Sequence, residues 1–208
     1  MPEAIEQYYA RVVRAAGEDG RIPLESGDIA SWDIFPFEGE GLRLKPIAPL
    51  SEAEEARAGE DPAECYCAAG GPPKGSVWSD DHWQLRMLAR SGAPLVLMLA
   101  PKSHYDFTSL PADLAGELGR LMVAVGAAIE TLPSVARVHI SKWGDGGAHA
   151  HVFFFARPTR MPQLRGTCLA LWDDFLPAVP ADVVHDNARA VVERLVATYG
   201  GTAVDIAH

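Results

Sequence analysis

The 208-residue chain has three cysteines, Cys65, Cys67 and Cys168. An odd, small number argues against a disulfide framework and for a reducing compartment. The opening stretch "MPEAIEQYYARVVRAAGEDG" has no apolar core of the kind that marks a secretory leader. Together these features lead us to expect a cytoplasmic protein. No apolar run approaches the ~18 residues of a membrane span. The longest, "APLVLMLAP" at 93–101, is the length of a strand, so no membrane partner is expected. Positive charge is also scarce. Eighteen Lys and Arg stand against twenty-eight Asp and Glu, for a net charge of −10. A chain with no basic stripe cannot neutralise a phosphate backbone, which excludes general nucleic-acid binding. Internal repeats and low-complexity tracts are absent too.

What is present is an α+β pattern. Residues 2–16 carry Ile5, Tyr8, Tyr9, Val12 and Val13 on one stripe and read as a helix. A short strand fits 42–47. Residues 51–64, "SEAEEARAGEDPAE", read as a solvated acidic linker or short helix. From 76 onward the texture becomes denser. "SVWSD" and "WQLRML" look like two strands joined at Asp80-Asp81, and 93–101 looks like a buried strand. "PADLAGELGRLMVAVGAAIETL" (111–132) predicts the longest helix. Pro111 opens it, and Leu114, Leu118, Leu121, Val125 and Ile129 share a face. "ARVHISKW" (136–143) and 149–155 predict two more strands, 159–180 is irregular, and 181–198 is a final helix.

The chemistry concentrates in "GDGGAHAHVFFFARP", residues 144–158. On a strand, residues i and i+2 share a face, so His149 and His151 are expected to point the same way. Gly144, Gly146 and Gly147 precede them. Successive backbone N–H groups in such a turn can form an anion nest. An imidazole beside that nest can attack phosphorus or hold a metal.

With these residues in view, the chain resembles the histidine triad superfamily of nucleotide hydrolases and transferases. That family's motif alternates three histidines with hydrophobic residues. The match here is His149-Ala150-His151-Val152-Phe153-Phe154-Phe155, with Phe153 where the third polar residue usually stands. The likeness extends to "LMLAPKSHYDFTSLPADLAGELGRLM" (97–122), a strand, a Pro-Lys-x-His turn and a long helix, and Arg157 falls where many members carry an arginine. The glycine loop is shorter than the family's, and Ser141 stands near a position where members often have Asn.

The resemblance implies an antiparallel sheet of about five strands with a long helix packed on it and helical extensions at both ends. We expect one compact unit in three sections: an N-terminal helix and irregular extension over 1–63, a core over 64–158 and a C-terminal irregular segment and helix over 159–208. The resemblance implies a nucleotide or nucleotide-conjugate substrate, with His151 as nucleophile at the α-phosphate and His149 as its neighbour. A shifted register would make His149 the nucleophile. Gly144, Gly146, Gly147, Ser141, Phe153 and Arg157 would contact the substrate. Some members hold a structural zinc, and the equivalent ligands here are Cys65, Cys67, His104 and His149, although the cysteines are spaced Cys-x-Cys rather than Cys-x-x-Cys. Many members form homodimers. Phe153 also admits a protein that binds a nucleotide or a partner without turnover.

Other residues read more plainly. His82 suits a surface turn, Lys102 solvent and Cys168 the core. His139 shares its strand face with Ser141 and Trp143. Arg157, Arg160 and Arg165 form a local basic group in an acidic protein.

Overall fold

A computed structural model of the chain describes residues 48–70 and 73–204, with 14, 18–21, 35, 37 and 46 as isolated positions before them. The expected strand at 42–47 and nearly all of the helix at 2–16 lie outside the described residues; Arg14 is helical. Contacts divide the chain into two units, Met1–Glu55 and Ala56–His208, and the sheet and candidate site belong to the second.

The architecture is α+β, built on one antiparallel sheet. β1 (Ser76–Ser79) and β2 (Trp83–Met87) form a hairpin, and β3 is Val96–Pro101. Asp80 closes the hairpin by accepting the His82 and Trp83 N–H groups at 2.9 and 2.6 Å. Helix α1 (Ala112–Ile129) follows, then β4 (Val135–Ser141), β5 (Val152–Pro158), the short α2 (Leu169–Phe175), α3 (Ala181–Thr198) and β6 (Thr202–Ala203). The strand order is β4-β5-β3-β2-β1-β6. The sheet thus has a sixth strand beyond the five expected. Two residues are too few for an alternating signal. β6 is set instead by the return of the chain from α3 to pair with Trp78 and Ser79. Gly201 makes that return possible at φ +79, where a Cβ would meet the Trp78 indole at 2.4 Å.

One face of the sheet buries Leu85, Leu97, Leu99, Val152, Phe154 and Ala156 against α1 and α3. The apolar stripe expected on α1 is the one buried: Leu114, Leu118, Leu121, Val125 and Ile129. The helix is shorter than 111–132 at both ends. Pro111 caps it from outside, and the chain leaves the helical path at Glu130. The final helix matches its expected bounds, 181–198.

The opposite face carries a second, smaller core of Ala93, Val96, Phe155, Leu164 and Leu169. It exists because the 159–180 segment, expected to be irregular, folds back with α2 inside it. Asp173 anchors that fold. Its Oδ1 accepts the Gly92 and Ala93 N–H groups at 2.9 and 2.7 Å and the Ser91 hydroxyl at 2.7 Å. Ser91 and Ala93 are buried, and without this charged acceptor they keep only their weaker bonds to each other while the Gly92 N–H loses its partner. Asp173→Ala is expected to cost about 2 kcal/mol. For a domain of this size that is a fall in melting temperature of about 4–8 °C. A thermal unfolding curve checks it, and Asp173→Asn should recover part of the loss.

The largest local departure concerns the histidine segment. Strand β5 begins at Val152, not at residue 149. The preceding backbone pairs elsewhere: Ala148 N–H with Ala58 O at 3.1 Å and Ala150 N–H with Tyr105 O at 2.7 Å. Strand parity therefore governs Phe153 and Phe155 but not His149 and His151.

Candidate active site and metal centre

His149 is buried. Its Nε2 lies 2.8 Å from the Pro101 carbonyl, which can only accept, so Nε2 carries the proton. The other nitrogen, Nδ1, presents its lone pair 3.4 Å from Cys65 Sγ. Burial holds this imidazole below its ordinary pKa, partly offset by the Pro101 carbonyl. The ring stays neutral, the form a metal requires.

Cys65 and Cys67 arrive on two consecutive turns of 3-10 helix, Pro62–Glu64 and Tyr66–Ala69, that meet at Cys65. Asp61 starts the first by accepting the Ala63 N–H at 2.9 Å. This tight winding answers the problem of Cys-x-Cys spacing, because it bends the backbone between the two thiols. Cys67 Sγ lies 3.6 Å from His104 Nδ1. One ligand atom from each of Cys65, Cys67, His104 and His149 lies within 4.8 Å of the others. Tetrahedral zinc with ordinary Zn–S and Zn–N bonds has S···N edges of about 3.6 Å. The donor set, two thiols and two imidazoles, also suits zinc. His149 already carries the support that metal-binding imidazoles generally have, an N–H donated to a carbonyl. The residues fit the metal.

Tyr66 was not picked out by its sequence context. Its ring stacks at 4.8 Å on that of His149. Burial, with the neighbouring Cys65 thiol, pushes its phenol up to about 12. Arg57 was missed as well, because it sits in the acidic run assigned to solvent. The run's first residues are exposed, yet Arg57 is half-buried. It pairs with Asp106 at 2.8 Å and donates to the Gly144 carbonyl at 3.4 Å. Burial tends to raise the Asp106 carboxyl, but the Arg57 hydrogen bond and the Phe107 N–H hold it below the ordinary range. No spacing signal marks such a residue; only the folded contact does.

His151 stands apart from the thiol group. Its Nδ1 donates to the His149 carbonyl at 2.8 Å, which leaves Nε2 with a free lone pair. The ring is half-buried and touches Phe153 at 5.3 Å between centroids. Gly147 lies beside it: a Cβ there would be 3.8 Å from His151 Cε1. Gly144, Gly146 and Gly147 all have negative φ, so the alternating left-handed turn of an anion nest is not formed in this loop. The loop is held instead by residues 57–58, through Ala58 N–H to Gly146 O at 3.2 Å and a bridge between Ala58 and Gly147.

The remaining expected residues divide. Ser141 pairs with Phe153 across β4 and β5, and His139 pairs with Phe155. Directly opposed residues share a face, so these four line one surface with Trp143 at its end. Arg157 pairs with Arg137 at the far end of that ladder. It is remote from His151 along the strand, with Phe153 and Phe155 between them. His82 is exposed and paired with Glu117 at 2.9 Å. Lys102 is exposed and donates to the Asp80 carbonyl. Cys168 is buried, as expected. Among the described residues, no helix is long and apolar enough to cross a membrane.

No protein-family model matches the chain, and no curated protein does. Solved structures do. One is a zinc-bound histidine triad family protein from Mycobacterium smegmatis, at 16% identity and TM-score 0.49, covering 64% of this chain and 94% of that one. A Hit-like protein involved in cell-cycle regulation from Bartonella henselae matches at 13% identity and TM-score 0.48, covering 67% and 99%. A hypothetical histidine triad nucleotide-binding protein from Sulfolobus tokodaii matches at 15% identity and TM-score 0.46, covering 61% and 88%. These structural neighbours are histidine triad proteins.

Proposed function

We propose that the chain is a nucleotide hydrolase or nucleotidyltransferase of the histidine triad type, with His151 as nucleophile. One observation carries the reading. The 2.8 Å hydrogen bond from His151 Nδ1 to the His149 carbonyl fixes the tautomer and leaves Nε2 bare. A neutral imidazole oriented in this way is a competent nucleophile near neutral pH. His149, its nearest alternative, has one nitrogen on a carbonyl and the other among thiols. That favours the register with His151 as the attacking group.

The chemistry follows from those atoms. Nε2 attacks the α-phosphorus of a nucleotide conjugate. A P–N bond forms, the P–O bond to the leaving group breaks, and that oxygen keeps the electron pair. The His149 carbonyl stabilises the charge that develops on the ring. Water or another acceptor then attacks phosphorus, the P–N bond breaks, and the electron pair returns to Nε2. The acceptor's proton goes to solvent.

Phe153 selects among substrates. It occupies the place next to His151 where a proton donor would serve a poor leaving group, and it has no proton to give. The leaving group must therefore depart as a stable anion. This points to phosphoanhydrides, such as dinucleoside polyphosphates or nucleotide sugars, and away from phosphoramidates, whose amines need protonation. Phe153→His is expected to remain soluble and to raise turnover on phosphoramidates more than on anhydrides. Parallel rates on the two substrate classes check it. An insoluble variant would assign Phe153 to packing alone.

Cys65, Cys67, His104 and His149 would hold a structural zinc. It would cross-link the 58–70 segment to the turn after β3 and to the histidine segment, and no step of turnover runs through it. A homodimer stays part of the proposal: β4 is a sheet edge, and Ile140 on it is 38% exposed.

Phe153 also favours a second reading, a nucleotide-binding protein without turnover. Intact-protein mass spectrometry separates the two. Incubation with a panel of nucleotide conjugates should yield an acid-labile nucleotidyl adduct. Binding with no adduct and no product would leave the second reading.

A further inference from the structure

A cavity of about 490 Å³ lies on the sheet face that carries Phe153 and Phe155. Its walls include His139 and Ser141 from β4, Trp143 just beyond it, Phe155 from β5, and Thr167 and Ala170 from the C-terminal segment. We propose that this cavity binds the aromatic base of the nucleotide whose phosphate reaches His151. The placement of the phosphate rests on the reading of His151 above; the capture of the base does not.

Four observations support it. The size falls within the range of small-molecule sites, about 300–1,000 Å³. The residues that line it include no Lys, Arg, Asp or Glu, so the cavity suits a neutral ring and not a phosphate. Trp143 is 46% exposed, an unusual state for an indole among other aromatic rings. It meets Phe155 at 5.9 Å and Phe153 at 5.6 Å between centroids, so neighbours hold it in place while much of the ring stays available for stacking. Finally, the Ser141 and Thr167 hydroxyls and the His139 ring supply donors and acceptors for a heterocycle's edge. Burial, and then the nearby Arg157 charge, keep His139 below its ordinary pKa. It therefore offers one donor and one acceptor near neutral pH.

The route to the reacting atom is short. His151 touches Phe153 at 5.3 Å, and Phe153 touches Trp143 at 5.6 Å. One nucleotide can bridge the three rings. The cavity depends on the C-terminal segment, because Thr167 and Ala170 close one side of it. Residues 159–180 thus complete a substrate pocket in addition to covering a core.

Calorimetric titration of the full chain with AMP and with ribose 5-phosphate tests the proposal. AMP is expected to bind at least about 5-fold tighter, the smallest gain that base stacking on an aromatic ring gives. Trp143→Ala should weaken AMP about 10- to 100-fold and leave ribose 5-phosphate unchanged. Trp143→Phe should keep most of the affinity, and Thr167→Trp, which fills the cavity, should lose it. Equal binding of the two ligands by the wild type would overturn the proposal. So would an equal loss of both in Trp143→Ala. The adduct experiment is independent. Base-dependent binding without an adduct leaves this cavity standing and removes His151 as nucleophile. An adduct without base preference does the reverse.

Discussion

His151→Ala is expected to fold normally and to lose turnover by about 10³-fold or more. The size of the effect follows from the role. Removing the attacking nitrogen removes the covalent route, and no neighbour can replace it. His149 Nε2 is bound to the Pro101 carbonyl, and His139 pairs with Phe155, further along β5 than Phe153. The cost in stability should stay near 1 kcal/mol, because His151 is half-buried and gives up one hydrogen bond to the His149 carbonyl. The decisive measurement pairs two readouts on one sample. The melting temperature should hold while the acid-labile adduct disappears. An adduct that persists in His151→Ala and vanishes in His149→Ala would move the nucleophile to His149. Unchanged turnover in both variants would put the chemistry elsewhere.

Removing metal should act on the fold instead. Protein purified without added metal is expected to carry about one zinc per chain. A chelator should lower the melting temperature by about 10 °C. That figure corresponds to about 4 kcal/mol of linkage at a free zinc concentration a thousand times the dissociation constant. The reason is topological. The 57–70 segment has no strand in the sheet; its described ties to the rest include one bridge to Gly147, the Arg57 ion pair with Asp106 and the four-residue ligand group. Cys67→Ser and His104→Ala should each lose the metal and show the same fall. Cys168→Ala should keep the metal, since Cys168 lies outside the ligand group. A zinc content of zero, or metal lost with Cys168 and kept with Cys67, would rule the assignment out.

The two predictions concern neighbouring imidazoles to which the resemblance gives different roles, and the spacing of the residues alone does not separate them. The i, i+2 spacing suggested a shared strand face. In the folded chain the strand starts only at Val152, and Ala148 and Ala150 bond to Ala58 and Tyr105. Outside a paired strand the period-2 rule has no hold. His149 turns into the thiol group, and His151 stays beside Gly147 and Phe153. The Cys-x-Cys spacing departs from the family's Cys-x-x-Cys pair. Two abutting 3-10 turns nevertheless bring both thiols within reach of two imidazoles, which the spacing alone does not show.

The elements themselves were legible because periodicity reports burial directly. The α1 stripe from Leu114 to Ile129 and the apolar run of β3 are buried as their spacing required. The acidic balance, the scarcity of cysteine and the His-Ala-His segment bounded the chemistry before any fold was known. Tertiary structure decided what depends on partners distant in the chain. Cys65 meets His149 across 84 residues, and Pro101 meets it across 48. Only those contacts determine which imidazole nitrogen keeps a lone pair. The two-residue β6, the Arg57 tie to the glycine loop and the C-terminal wall of the aromatic cavity belong to the same class. Each is a long-range contact with no local pattern, because nothing in its own stretch of sequence has to repeat for it to form.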